Sequence, residues 1–230
     1  MCSNAIRLSN DLLSKLKEAG GGRCVAGKIP EGQYRNYWIR PVAPRQNRTI
    51  TLDDQAFYTG EHPDLLDLIN VTYTGVQLGT FQQENHVIDD RTCWEYVGQF
   101  NRDDLHTLVD NPAQLWETSH DDSYSGVNDR IAGTVLTQPR QSLYLIEPEN
   151  VRIHVSAEGA QWNDHRLRVR AFFDYNGIHY GLMVTDLEFE TEYIRLGAGW
   201  YDADDISYFT VSLGEIDSHG YAYKLVAAVF

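Results

Sequence analysis

Cysteine, methionine and lysine are the scarce residues of this 230-residue chain: three cysteines, two methionines, and four lysines against fifteen arginines. Cys2, Cys24 and Cys93 are odd in number, unevenly spaced and without a Cys-x-x-Cys pair, which argues against a disulfide framework and a thiolate zinc site alike. They are expected to be buried thiols. No apolar run approaches the length of a membrane span, and residues 1–20 have neither the basic start nor the apolar centre of a signal peptide. The expected setting is the cytoplasm with no membrane partner, and the Asn-x-Thr sequons at Asn47 and Asn70 then read as chance occurrences. Also missing are a Gly-x-Ser-x-Gly elbow, a His-Glu-x-x-His pair and any nucleophile with an evident base. No catalytic residue, metal or cofactor is assigned, and the expectation is a protein that is not an enzyme. Gly22-Arg-Cys-Val-Ala-Gly27-Lys28 has the spacing of a phosphate-binding P-loop, but Ile29 stands where a hydroxyl should meet magnesium. Its context is inverted as well, since it follows a predicted helix and is itself strand-like.

What the chain does have is apolar mass and negative charge. Its 42% hydrophobic content is ample for a packed core, and its length suits two ordinary domains or one large β-domain. A net charge of −14 argues against a protein that coats duplex DNA through bulk electrostatics, and equally suits docking onto a basic partner. The cations, however, are mostly arginine, whose planar fork pairs with phosphate or stacks on a base, and they cluster.

One cluster lies in the run from His165 to Asp186. Asn176-Gly177 separates two alternating segments and predicts a type I′ hairpin, because both central residues must adopt positive φ. With Tyr175 facing Ile178, one face collects Leu167, Val169, Ala171, Phe173 and Tyr175 against Ile178, Tyr180, Leu182 and Val184, a core. The other collects Arg166, Arg168, Arg170 and Phe172 beside His179, Gly181, Met183 and Thr185. Three arginines and a ring on one exposed face would suit a polyanion whose bases stack. The competing reading extends the strand through Asp186, Glu188, Glu190 and Glu192, so that the arginines pair with carboxylates across the sheet. A second cluster places Arg35, Arg40, Arg45 and Arg48 among Tyr34, Tyr37 and Trp38, with the alternative that Trp38 is core and the arginines are merely solvated.

Along the rest of the chain, residues 9–19 read as a short helix capped by Ser9 or Asn10 and ended by Gly20 to Gly22. Strands follow over 23–29, 34–42 and 65–74, with a less regular run over 81–89. Leu105, Leu108 and Val109 take a helical period that Pro112 breaks, and Leu115-Trp116 lies on a further short turn. The turn-rich segment from His120 to Ile131 is the best candidate for an ordered loop. His120, Asp121, Asp122 and Asp129 could hold a hard cation there, but the spacing matches no EF-hand and no zinc pattern, and Asp129 is expected to pair with Arg130 or a neighbour and bridge the two halves. Strands resume over 143–156 and continue through the hairpin to two final strands over 206–213 and 221–230.

Several phrases together resemble the dual OB-containing domain family of bacterial and phage-conflict proteins. They are Gly22-Arg-Cys-Val-Ala-Gly27, Trp38-Ile-Arg-Pro-Val42, Leu66-Asp-Leu-Ile69, Leu115-Trp116, Asn128-Asp-Arg130, Ser142-Leu-Tyr-Leu-Ile146, Phe173-Asp-Tyr-Asn-Gly177 with Val184-Thr-Asp186, Ser212-Leu-Gly214 and Tyr223-Lys-Leu-Val-Ala227. The resemblance implies a mainly β chain of two OB-like five-stranded barrels in tandem, with short helices between. The expected division is 1–132, carrying the N-terminal helix, and 133–230. It also implies binding of single-stranded or structured DNA or RNA, for which the residues would be Arg35, Trp38, Arg40 and Arg45 in the first half and Arg166, Arg168, Arg170 and Phe172 in the second. OB barrels bind proteins and sugars as well, so a regulatory subunit whose acidic surface recruits a protein partner is the alternative.

Overall fold

A computed structural model describes residues 5–10, 16–17, 23–46, 48–77, 81–117, 121–159 and 164–230, with side chains described from residue 25 onward. They form two compact units. The first comprises Met1–Leu108 with Gln138–Ser142, the second Val109–Thr137 with Leu143–Phe230. Residues 109–132, expected with the first half, pack in the second unit, and 138–142 return to the first.

The first unit contains β1 (Ala5–Asn10), β2 (Leu16–Lys17), β3 (Arg23–Cys24), β4 (Gly27–Lys28), β5 (Trp38–Val42), β6 (Asp67–Val76), β7 (Asn85–Ile88) and β8 (Glu95–Gln99). Their pairings close on themselves. Antiparallel contacts join β1 to β4 and β4 to β5, β5 runs parallel to β7, and β7 and β1 both pair antiparallel with β6. This is a five-stranded barrel without a free edge among those strands, the architecture expected of an OB domain. Strand β8 adds outside the ring on β6. The core comes from alternate residues of these strands, Ile39, Ile69, Val71 and Ile88, closed by Trp94 and Phe57 from the connections. Leu105 and Leu108, predicted on a helix, sit fully buried on the 3-10 turn Arg102–Leu108.

The second unit holds β9 (Arg130–Ala132), β10 (Leu143–Ile146), β11 (Glu149–Ala157), β12 (Leu167–Tyr175), β13 (Ile178–Val184), α1 (Leu187–Leu196), β14 (Gly199–Asp202), β15 (Phe209–Ile216) and β16 (Tyr221–Val229). The sheet runs β10-β15-β16-β13-β12-β11-β14, with the β13–β16 pair parallel and β9 against β16. The hairpin forms as its sequence predicts. Tyr175 faces Ile178, Asn176 and Gly177 have φ of 49° and 75°, and Val169, Ala171, Phe173, Tyr180 and Leu182 are all fully buried.

Three local expectations are corrected. Ser9, Asn10, Leu16 and Lys17 lie in strands rather than the helix predicted over 9–19, whose residues 11–15 and 18–19 lie outside the described residues. The strand predicted to run to Glu192 stops at Val184, and α1 begins because the Asp186 carboxylate accepts the N–H groups of Glu188 and Phe189. Cys93 is exposed rather than buried, while the side chains of Cys2 and Cys24 lie outside the described residues. No helix of the described residues is long and apolar enough to cross a membrane.

Candidate nucleic-acid interface

In the second unit, β-sheet register brings an aromatic group together from four strands. Side chains directly opposite one another across a pleated sheet share a face. The pairs Arg152–Phe172, His154–Trp200 and Phe172–Gly181 therefore put Arg152, His154, Phe172 and Trp200 on the face turned away from the buried hairpin core. His154 stacks on Trp200 at 4.2 Å between centroids and 21° between planes, Phe172 packs against Trp200 at 4.9 Å, and Phe172 stacks on His179 at 6.2 Å. The Arg152 guanidinium lies 5.0 Å over Trp200 and also bonds Asp202.

Gly181 is what lets Phe172 lie flat. A Cβ there would come within 2.6 Å of the ring, so any other residue would displace it. Trp200 remains 48% exposed, which leaves ring surface for a ligand. Burial lowers the pKa of His154, with Glu158 opposing and Arg170 adding to the effect, which favours the neutral form of the stacked imidazole.

The predicted arginines do not share one exposed row. Arg166 and Arg168 both bond Asp164, whose carboxyl is held well below its usual range by the hydrogen bonds from Arg166, side chain and backbone, with a further pull from Arg168. Arg170 is buried. Its Nε and Nη2 take both oxygens of Glu158 at 2.8 and 3.0 Å, and its Nη1 reaches Asp129 and the Gly181 carbonyl at 3.2 Å. The carboxylate-pairing alternative thus holds, but with Asp164, Glu158 and Asp129 as partners rather than the α1 glutamates. Phe172 alone of that predicted group stands in the aromatic cluster.

The ordered loop serves this network. Asp129 accepts bonds from Ser123 and pairs with Arg170 within the second unit, instead of with Arg130 as a bridge between halves. Asp121 takes Arg130, and Asp122 accepts the Asn128 N–H. His120 lies outside the described residues.

In the first unit, the β4–β5 connection and the end of the β6–β7 connection line a cavity of about 600 Å³. Tyr34 and Tyr37 stand exposed at its side, edge to face at 5.8 Å, and Arg35, Trp38, Gln83 and His86 complete the wall. His86 Nδ1 lies 2.7 Å from the Glu84 carbonyl, which can only accept, so that nitrogen carries a proton. Trp38 is itself buried beneath the Lys28 ammonium, 5.2 Å over the indole. Arg35 is exposed, whereas Arg40 is buried and bonds the Ser142 hydroxyl, and Arg45 is held by Asp54 at 2.6 Å. Burial raises the Asp54 pKa, but hydrogen bonds from Thr51 and Arg45 outweigh it and leave the carboxyl below its usual value. The structure brings Arg35 and Trp38 to this cavity and turns Arg40 and Arg45 to internal bonds.

The hairpin register already sets His179 beside Phe172, but sequence reasoning missed Trp200 and His154 as members of the cluster. No local signal joins those two to Phe172, because their proximity depends on the β11–β12 and β11–β14 pairings.

A closed five-stranded ring in one unit and a curled sheet with a parallel β13–β16 pair in the other define a protein built of OB-type barrels. A model of the dual OB-containing domain matches residues 12–229, nearly the whole chain, and the chain belongs to that family. Comparison with curated proteins and with solved structures gave no match.

Proposed function

We propose that this chain binds single-stranded nucleic acid without catalysing a change in it, and that bases stack on the Phe172–Trp200–His154 cluster of the second unit. The single observation that carries this reading is the 48% exposure of Trp200 within a row of rings fixed by sheet register. OB barrels bind oligonucleotides on the face of their second and third strands, and β12 and β13 take those positions in the run β11-β12-β13-α1-β14. The Tyr34–Tyr37 cavity occupies the corresponding place on the first unit, beside β4 and β5. Stacking is favoured over phosphate pairing as the main source of affinity, since Arg166, Arg168, Arg170 and Arg152 each already hold a carboxylate. The family resemblance supports a role as a recognition module in a prokaryotic or phage conflict system.

Fluorescence anisotropy with labelled oligo(dT) and oligo(U) tests this. Each stacked base is worth ~1–3 kcal/mol, so Phe172→Ala/Trp200→Ala should weaken binding by about tenfold or more, with Tyr34→Ala/Tyr37→Ala weakening it by a smaller factor. Wild-type affinity in the first variant, with circular dichroism unchanged, would refute the assignment.

A further inference from the structure

A separate cavity of about 570 Å³ in the first unit is walled by aromatic rings from two segments. Phe57 and Tyr58 come from the turn that precedes β6. Trp94 immediately precedes β8 and Tyr96 lies in it, and the two segments are joined by the Phe57–Trp94 bridge and the Trp94 N–H bond to the Ala56 carbonyl. Phe57 and Tyr96 meet edge to face at 6.0 Å. Tyr58 is 81% exposed and Tyr96 53%, so both leave ring surface facing solvent.

The polar groups lining this cavity are of one sign. Among the described residues that line it, Glu61 and Glu95 contribute carboxylates, Asp64 and Asp67 have bonding partners of their own, no lysine or arginine is present, and His62 is the one titratable base. The bonds to Glu61 and Glu95 come from neutral donors, the Thr59 hydroxyl at 3.1 Å and the Asn70 amide at 2.8 Å. Unlike those of Glu61 and Glu95, the carboxylates of Asp54, Asp89, Asp164 and Glu158 each hold an arginine of this chain. Ring faces attract a cation through their quadrupole, and carboxylates at the rim add Coulomb attraction. A planar guanidinium can stack on a tyrosine while its edge donors reach carboxylates. The same charges repel a phosphate chain.

We propose that this cavity receives an arginine side chain from a basic segment of a protein partner. It shares no lining residue with the Tyr34–Tyr37 cavity, so protein capture and nucleic-acid binding occupy different surfaces of the first unit.

Anisotropy of a fluorescein-labelled Gly-Arg-Gly-Arg-Gly peptide, compared with the same peptide carrying citrulline, tests it. The expected result is binding at low salt that falls about tenfold with citrulline and about tenfold in Tyr96→Ala or Glu61→Gln, with oligo(dT) binding unchanged in both variants. Glu192→Gln/Asp204→Asn removes two charges on the second unit and should alter peptide binding less than twofold. Equal affinity for the citrulline peptide, wild-type affinity in both cavity variants, or an equal loss in the charge control would overturn the proposal.

Discussion

At the scale of single residues, the contrast between Arg166 and Arg170 shows what alternation along a strand can and cannot foretell. Both sit on the same face of the hairpin segment, as the period-two pattern requires, yet one is exposed and the other is 4% exposed inside a carboxylate pair. The sequence reveals the face. What covers the face is decided by Glu158 at the end of β11 and by Asp129 in the loop before β9, residues 12 and 41 positions away. Removing one partner of a buried ion pair leaves the rest uncompensated, so Arg170→Ala should destabilise the protein by about 3–5 kcal/mol. Chemical denaturation that showed Arg170→Ala as stable as wild type would contradict this placement. Arg170 is accordingly a poor choice for probing nucleic-acid binding by charge reversal, and Phe172 and Trp200 are the informative positions.

At the scale of elements, legibility followed locality. The β12–β13 hairpin was readable because Asn176-Gly177 sets its register within two residues, and the alternation on both sides agrees. The segment after it reads as strand in the sequence because Glu188, Glu190 and Glu192 alternate as well as they would on an exposed strand. The residue that decides is Asp186, 7% exposed, whose side chain caps α1 and also accepts the Val229 N–H at 3.2 Å. Burial raises its pKa, and the three N–H donors from Phe189, Val229 and Glu188 act against that rise. Asp186→Ala removes the cap and leaves the Val229 donor without its partner, and a loss of about 1–2 kcal/mol in a denaturation midpoint is expected. A change below a few tenths of a kcal/mol would show that α1 does not depend on this cap. The aromatic cluster stayed hidden for the opposite reason, since His154 and Trp200 are 46 positions apart and meet only through the β11–β14 register, His154 opposite Trp200.

At the scale of the whole molecule, a net charge of −14 has to be reconciled with the proposed ligand, itself a polyanion. Affinity placed in ring stacking, with few phosphate contacts, reconciles the two, because the arginines nearest the second unit's cluster are engaged by carboxylates. Tandem OB barrels were legible from the order of many short phrases along the chain. The closed β1-β4-β5-β7-β6 circuit was not, because it depends on pairings between strands as short as two residues. The most direct test of stacking-based recognition is the salt dependence of oligo(dT) and oligo(U) binding by the wild-type protein. Single-strand affinity falls with a log–log slope of about −0.7 per phosphate contact, so two or three contacts predict a shallow slope of roughly −1.5 to −2. Measurable binding at low salt with such a slope is the predicted result; no binding at low salt, or a steep slope that survives Phe172→Ala/Trp200→Ala unchanged, would contradict it.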